Sequence, residues 1–186
     1  MTEIRAAAIA ALVLVVPASA PAQTSAHAAP VSASSAAAAI EELRARGLEV
    51  PVRGIAPDEL EDSFDDSRGG GRRHQAIDIL APRGTPVIAV EEGTIRRLSP
   101  ANGGGGIVVY QVDPTGSFVY YYAHLERWAD GLAVGESVIR GQVIGHVGTS
   151  GNAPPGTPHL HFAIYRLEPG NRGWRGPAVN PFAVYR

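Results

Sequence analysis

The chain has no cysteine and no lysine, one methionine and two tryptophans in 186 residues. The missing cysteine excludes disulfides, thiolate zinc sites, iron–sulfur clusters, a cysteine nucleophile and a lipid-anchored cysteine together. Any metal has to be held by histidine and carboxylate. All sixteen basic side chains are arginine, set against eighteen acidic ones for a formal charge of −2. That balance leaves no basic face of nucleic-acid-binding size and no acidic tail. After the first residues no run is long and apolar enough to span a bilayer. What the chain does have is 22 glycines and 15 prolines, about a fifth of its length, with 45% hydrophobic residues. Such a composition suits one core built from strands and turns rather than a helical bundle.

The N-terminus reads as an address. Arg5 precedes an unbroken apolar run from Ala6 to Val16, and small residues follow through Ala22. This is the three-part order of a secretory signal peptide, with cleavage expected after Ala22 and an exported product, periplasmic or secreted. Residues 23–35 are Ala/Ser-rich and read as a flexible lead. A short helix is expected from about Ala36 to Arg46, stopped by Gly47. Residues 48–186 then form a single domain.

Within it, short β-branched runs alternate with turn signals: 86–90, 93–95, 107–112, 117–122, 137–139, 142–147 and 159–165. Their spacing predicts a mainly β fold, an antiparallel sheet or sandwich. Asp113-Pro-Thr-Gly116 marks a hairpin turn. The glycines 103–106 precede a strand, so they form a loop and not a phosphate cradle.

The histidines carry the chemistry. His27 falls in the lead and His146 on a strand of its own. His159 and His161 lie two apart on a strand, so both imidazoles face one side with Cα atoms about 6.5 Å apart. His74 and Asp78 would converge on one metal if helical. The surrounding Ile77, Ile79 and Pro82 favour extended structure, which puts the two about 13 Å apart unless the chain bends between them. On a strand Tyr120, Tyr122 and His124 share a face, opposite Tyr121 and Ala123. Tyr122 is therefore a candidate for lining a groove, with a packing role open beside it. Singly each element is weak. Two histidines plus one aspartate, however, make a metal site with an open position, and further histidines suit proton transfer near neutral pH.

In this order the three elements resemble the lysostaphin/LytM-type zinc endopeptidases of bacterial peptidoglycan. The resemblance rests on Arg73-His-Gln-Ala-Ile-Asp-Ile79, Ala81-Pro-Arg-Gly-Thr-Pro-Val87, Tyr122-Ala-His-Leu125, Gly141-Gln-Val-Ile-Gly145, Gly148-Thr-Ser-Gly151, Pro158-His-Leu-His-Phe162 and Val179-Asn-Pro181. It implies a β-rich peptidase domain of the duplicated-hybrid-motif type over residues 48–186. It also implies one zinc ion held by His74, Asp78 and His161, with His124 and His159 as the unligated catalytic pair. The expected partners are peptide cross-bridges of the wall, acted on by a monomer with no membrane span after signal cleavage. The sequence departs from the family at Ala76, where most members carry glycine. Three other readings stand beside this one. They are a catalytically silent module that activates other wall hydrolases, a secreted metalloprotease of glycine-rich proteins, and a carbohydrate-binding sandwich.

Overall fold

The computed structural model describes residues 33–168, 170 and 173–186. The signal-peptide reading, His27 and most of the Ala/Ser lead lie outside the described residues. Thirteen regular elements follow in order: α1 (Ala33–Arg46), β1 (Ser67–Arg68), β2 (Arg72–Arg73), β3 (Ile77–Leu80), β4 (Pro86–Ile88), β5 (Gly93–Ser99), β6 (Ile107–Val112), β7 (Phe118–Trp128), β8 (Ser137–Val138), β9 (Val143–Val147), β10 (His159–Arg166), β11 (Ala178–Val179) and α2 (Pro181–Val184). Two short 3-10 turns, Pro57–Glu59 and Gly69–Gly71, complete them.

All strand pairings are antiparallel, and nine of the eleven strands join one sheet. Its spine is β11-β10-β7-β6-β5-β8; β3 pairs with the start of β10 on the same edge as β11, opposite β7, and β9 bridges β7 to β4. The tight hairpin joining β6 to β7 follows from Asp113. One carboxylate oxygen accepts from the Thr115 hydroxyl at 2.5 Å and the other from the Phe118 amide at 2.8 Å, which braces the turn beside its backbone bond from the Asp113 amide to the Phe118 carbonyl.

β7 is the central element, and both its faces are buried. Phe118, Tyr120 and Tyr122 enter the larger core with Ile95, Ile144, Leu160 and Phe162, while Val119, Tyr121 and Ala123 join a smaller cluster with Val108, Tyr110 and Ala163. This is the period-two alternation of a strand covered on both sides. β7 runs on to Trp128, beyond the expected 117–122, because β9 pairs with its second half.

A 14-residue helix is marginal alone in water. α1 is held because Ala39 and Leu43 are fully buried against the core, a full burial being worth about 1.5–3 kcal/mol for a side chain such as leucine. Gly47, at φ +62, ends it, and its amide bonds to the Arg44 carbonyl at 3.0 Å. Among the described residues no helix is long and apolar enough to cross a membrane.

Candidate metal centre and groove

Strand register makes the first contact. In the β3–β10 ladder Asp78 stands directly opposite His161, which places both side chains on one face with Cβ atoms about 5 Å apart. His74 reaches the same point from outside the strand. The bend that an extended His74–Asp78 segment lacks is supplied at Gln75, whose φ of 57° turns the chain before β3 begins. Ala76 has no positive φ and is fully buried, so a methyl group fits where the family usually has glycine.

The result is a triangle of ligand atoms. His74 Nε2 lies 2.9 Å from His161 Nδ1, and Asp78 Oδ1 lies 3.0 Å from each. Ligands about 2.0–2.1 Å from a tetrahedral ion are separated by about 3.3–3.4 Å, so three such atoms can contact one cation with little movement. The donor set, two imidazoles and one carboxylate, suits a borderline metal with a position left open. The outer partners fit as well. His74 Nδ1 donates to the Ser63 carbonyl at 3.0 Å, which leaves Nε2 bare in the neutral ring. The second carboxylate oxygen of Asp78 accepts from Arg68 Nη2 at 2.8 Å.

Protonation states follow from the same contacts. Burial works against the charge of Asp78, but the neighbouring imidazoles of His161 and His74 outweigh it and hold the carboxyl well below the usual carboxylate range. Burial pushes His161 down, against the pull of Asp78, and so favours the neutral ring that a metal needs.

The remaining two histidines flank the triangle. His159 Nε2 is 3.9 Å from Asp78 Oδ1, the His124 and His159 ring centroids are 4.9 Å apart, and His124 lies 5.6 Å from the ring of His161. His159 Nδ1 is 2.8 Å from the Thr157 carbonyl and His124 Nδ1 is 2.8 Å from that of Ser150. A carbonyl only accepts, so both rings carry hydrogen on Nδ1 and keep Nε2 as the working atom. Burial brings His124 down to about 4.

His124 corrects the face assignment made from sequence. It has φ 61°, and between Tyr122 and Leu125 β7 carries one residue more than β6 opposite. This bulge breaks the alternation. Leu125 returns to the core face, and His124 turns instead to the groove with Tyr121. Tyr122 does not line the groove: it is fully buried, and its hydroxyl donates to Gln111 Oε1 at 2.7 Å.

Two glycine-bearing loops hold the bulge. The His124 amide donates to the Gly105 carbonyl at 2.8 Å, while the Ser150 hydroxyl accepts from Ile107 N and donates to the Leu125 carbonyl. The loops interlock so closely that a Cβ on Gly106 would lie 2.3 Å from Ser150 Oγ, and one on Gly151 2.3 Å from the Gly106 amide. The 103–106 run is thus a clasp for His124.

All five histidine and aspartate residues singled out above open into one groove of about 1020 Å³. His146 stands apart on β9, where its Nε2 accepts from Arg127 at 3.2 Å. Arg68, Ser150, Tyr121 and Arg175 carry no functional signal of their own in the sequence. Arg68, Tyr121 and Arg175 line the groove, and only the bulge and the loop contacts single these four out.

Comparison with known proteins agrees with this geometry. The model of Peptidase family M23 matches residues 72–181, more than half of the chain. An L-Ala–D-Glu endopeptidase of Bacillus subtilis is 40% identical over 56% of this chain and 33% of its own length. The glycyl-glycine endopeptidase ALE-1 of Staphylococcus capitis is 36% identical over 50% of this chain and 24% of its own. The chain thus spans a third or less of these two relatives. Among solved structures, the catalytic domain of lysostaphin from Staphylococcus simulans superposes with a TM-score of 0.54 at 29% identity, covering 64% of this chain and 84% of that domain. With the matched region running from the strand before His74 past the end of β11, the chain belongs to peptidase family M23.

Proposed function

We propose that this chain is an exported zinc endopeptidase that hydrolyses peptide bonds in bacterial peptidoglycan, with His74, Asp78 and His161 as ligands. The observation that carries the reading is the meeting of three ligand atoms at about 3 Å with two imidazoles that each present Nε2 beside them. The named activities of the relatives supply the substrate class. The signal-like N-terminus supplies the route out of the cytoplasm. When held by His74, Asp78 and His161, a zinc ion would lower the pKa of its bound water to about 7 and polarise a carbonyl.

The protein's own part is positional. His159 Nε2, nearest to Asp78, takes the proton of the attacking water and passes it to the departing amine. The Thr157 carbonyl fixes its tautomer for this task. His124, held from behind by the Ser150 carbonyl, rests neutral with Nε2 bare, and it hydrogen-bonds the oxyanion only after Nε2 has taken up a proton released from the attacking water. The test is digestion of purified insoluble peptidoglycan with and without a chelator, with zinc per chain measured alongside. Release of soluble muropeptides with new amino termini, stopped by chelation and restored by zinc, is the expected result. Binding without release would replace the enzyme with a binding module.

A further inference from the structure

The groove is strongly biased in charge. Its lining includes Arg68, Arg72, Arg73 and Arg175 but only one carboxylate, Asp78. Asp78 is already engaged by His74, His161 and Arg68. Arg73 is paired with Asp65, which is not part of the lining, and both side chains are mostly exposed, so that pair takes little from the groove's field. Arg175 is anchored by aromatic rings: its guanidinium carbon sits 5.7 Å from the ring centre of Tyr121 and 5.8 Å from that of Tyr165. Tyr121 in turn meets the ring of His161 edge-on at 5.9 Å. One tyrosine therefore separates this arginine from the candidate metal ligands. A smaller cavity, lined by Glu59 and Glu61, shares Asp78 and Leu80 with the lining of the groove. The lining of the groove itself is therefore net positive, and Glu59 and Glu61 belong to the neighbouring cavity.

We propose that the arginine-rich lining of the groove, through Arg72 and Arg175, recognises a free carboxylate close to the bond that is cut, so that the substrate is an acidic peptide and not a neutral glycine chain. This rests on the peptidase reading above and assigns what that reading leaves open. The two relatives represent the alternatives: one is named for a bond to D-Glu and the other for a bond between glycines. A neutral bridge offers this positive lining no opposite charge, whereas an acidic residue beside the bond is attracted and held by it.

The experiment uses two synthetic peptides with an L-Ala–D-Glu bond, identical except that the acidic side group is a carboxylate in one and a carboxamide in the other, with a pentaglycine peptide as third substrate. The intact metal-loaded chain is expected to favour the carboxylate by at least tenfold in kcat/KM, and raised ionic strength should shrink the preference. Arg175→Gln and Arg72→Gln should each reduce the acid-to-amide ratio several-fold, with Arg175→Lys retaining part of it, while metal content and thermal unfolding certify the fold. Calorimetric binding of the same peptides separates the two readings. If nothing is cut, the peptidase reading fails, yet tighter binding of the carboxylate peptide still sustains this inference. If both peptides are cut and bound equally, or pentaglycine is preferred, the peptidase reading survives and this inference is overturned.

Discussion

Two buried polar clusters lie on opposite faces of β7, and they answer the same problem differently. Behind the sheet, Arg46 bonds to Glu91 at 3.1 Å, Asp113 at 2.9 Å and Glu42 at 2.7 Å. Tyr120 donates to Glu91, Tyr122 to Gln111, and the Gln111 amide to the Glu91 carbonyl. Here the protein's own donors meet the buried acceptors, and the cluster ties α1 to the core. At the groove, two ring nitrogens and a carboxylate oxygen crowd within about 3 Å. A proton on His161 Nδ1 satisfies the carboxylate but leaves His74 Nε2 without a donor. A metal ion satisfies all three. A closed cluster marks structure, and one that only an added cation completes marks a site.

Breaking each cluster should therefore fail in a different way. The largest effect is expected at the groove: Asp78→Ala and His161→Ala should abolish both metal retention after dialysis and wall digestion. His124→Ala and His159→Ala should keep the metal and lose about 10²–10⁴-fold in activity. A His159→Ala protein stripped of metal would break the division into ligands and catalytic pair. At the back, Arg46→Ala leaves Glu91 and Asp113 buried without their cation, a loss of about 3–5 kcal/mol. For a domain of this size that lowers the unfolding midpoint by about 6–20 °C, with metal content per folded chain unchanged. Loss of metal in that variant would show that the two clusters are coupled through β7.

The same contrast explains what was legible in the sequence. Composition and turn spacing sufficed for the antiparallel β fold, and β6 appears at the expected residues 107–112 because its β-branched run is bounded by glycine and Asp-Pro. His159 and His161 were readable as a pair since a strand's period leaves no freedom. The face of His124 was not, because a bulge depends on the unequal lengths of two paired strands and on a left-handed residue, and neither has a side-chain signature. Nothing local marks Gln75 as the bend either, since glutamine ordinarily avoids positive φ. Arg68 was invisible for another reason: ten residues separate it from Asp78, and a turn of three glycines brings them together.

Arg68 also offers the finest test of the comparison, because its charge and its geometry act in opposite directions. Its guanidinium holds the second oxygen of Asp78 and so aims the first at the triangle. Removing such an outer partner typically weakens metal binding by 10–100-fold, about 1.4–2.7 kcal/mol. Yet its positive charge also repels a dication. That repulsion is limited because the Arg68 side chain is 38% exposed, and unit charges 4 Å apart in water interact by only about 1 kcal/mol. Orientation should win. Arg68→Ala should bind metal more weakly in chelator competition, and Arg68→Lys, which keeps the charge without the planar fork, should fall between the two. Tighter binding by Arg68→Ala would mean that repulsion dominates and that the carboxylate is aimed by the β3–β10 register alone.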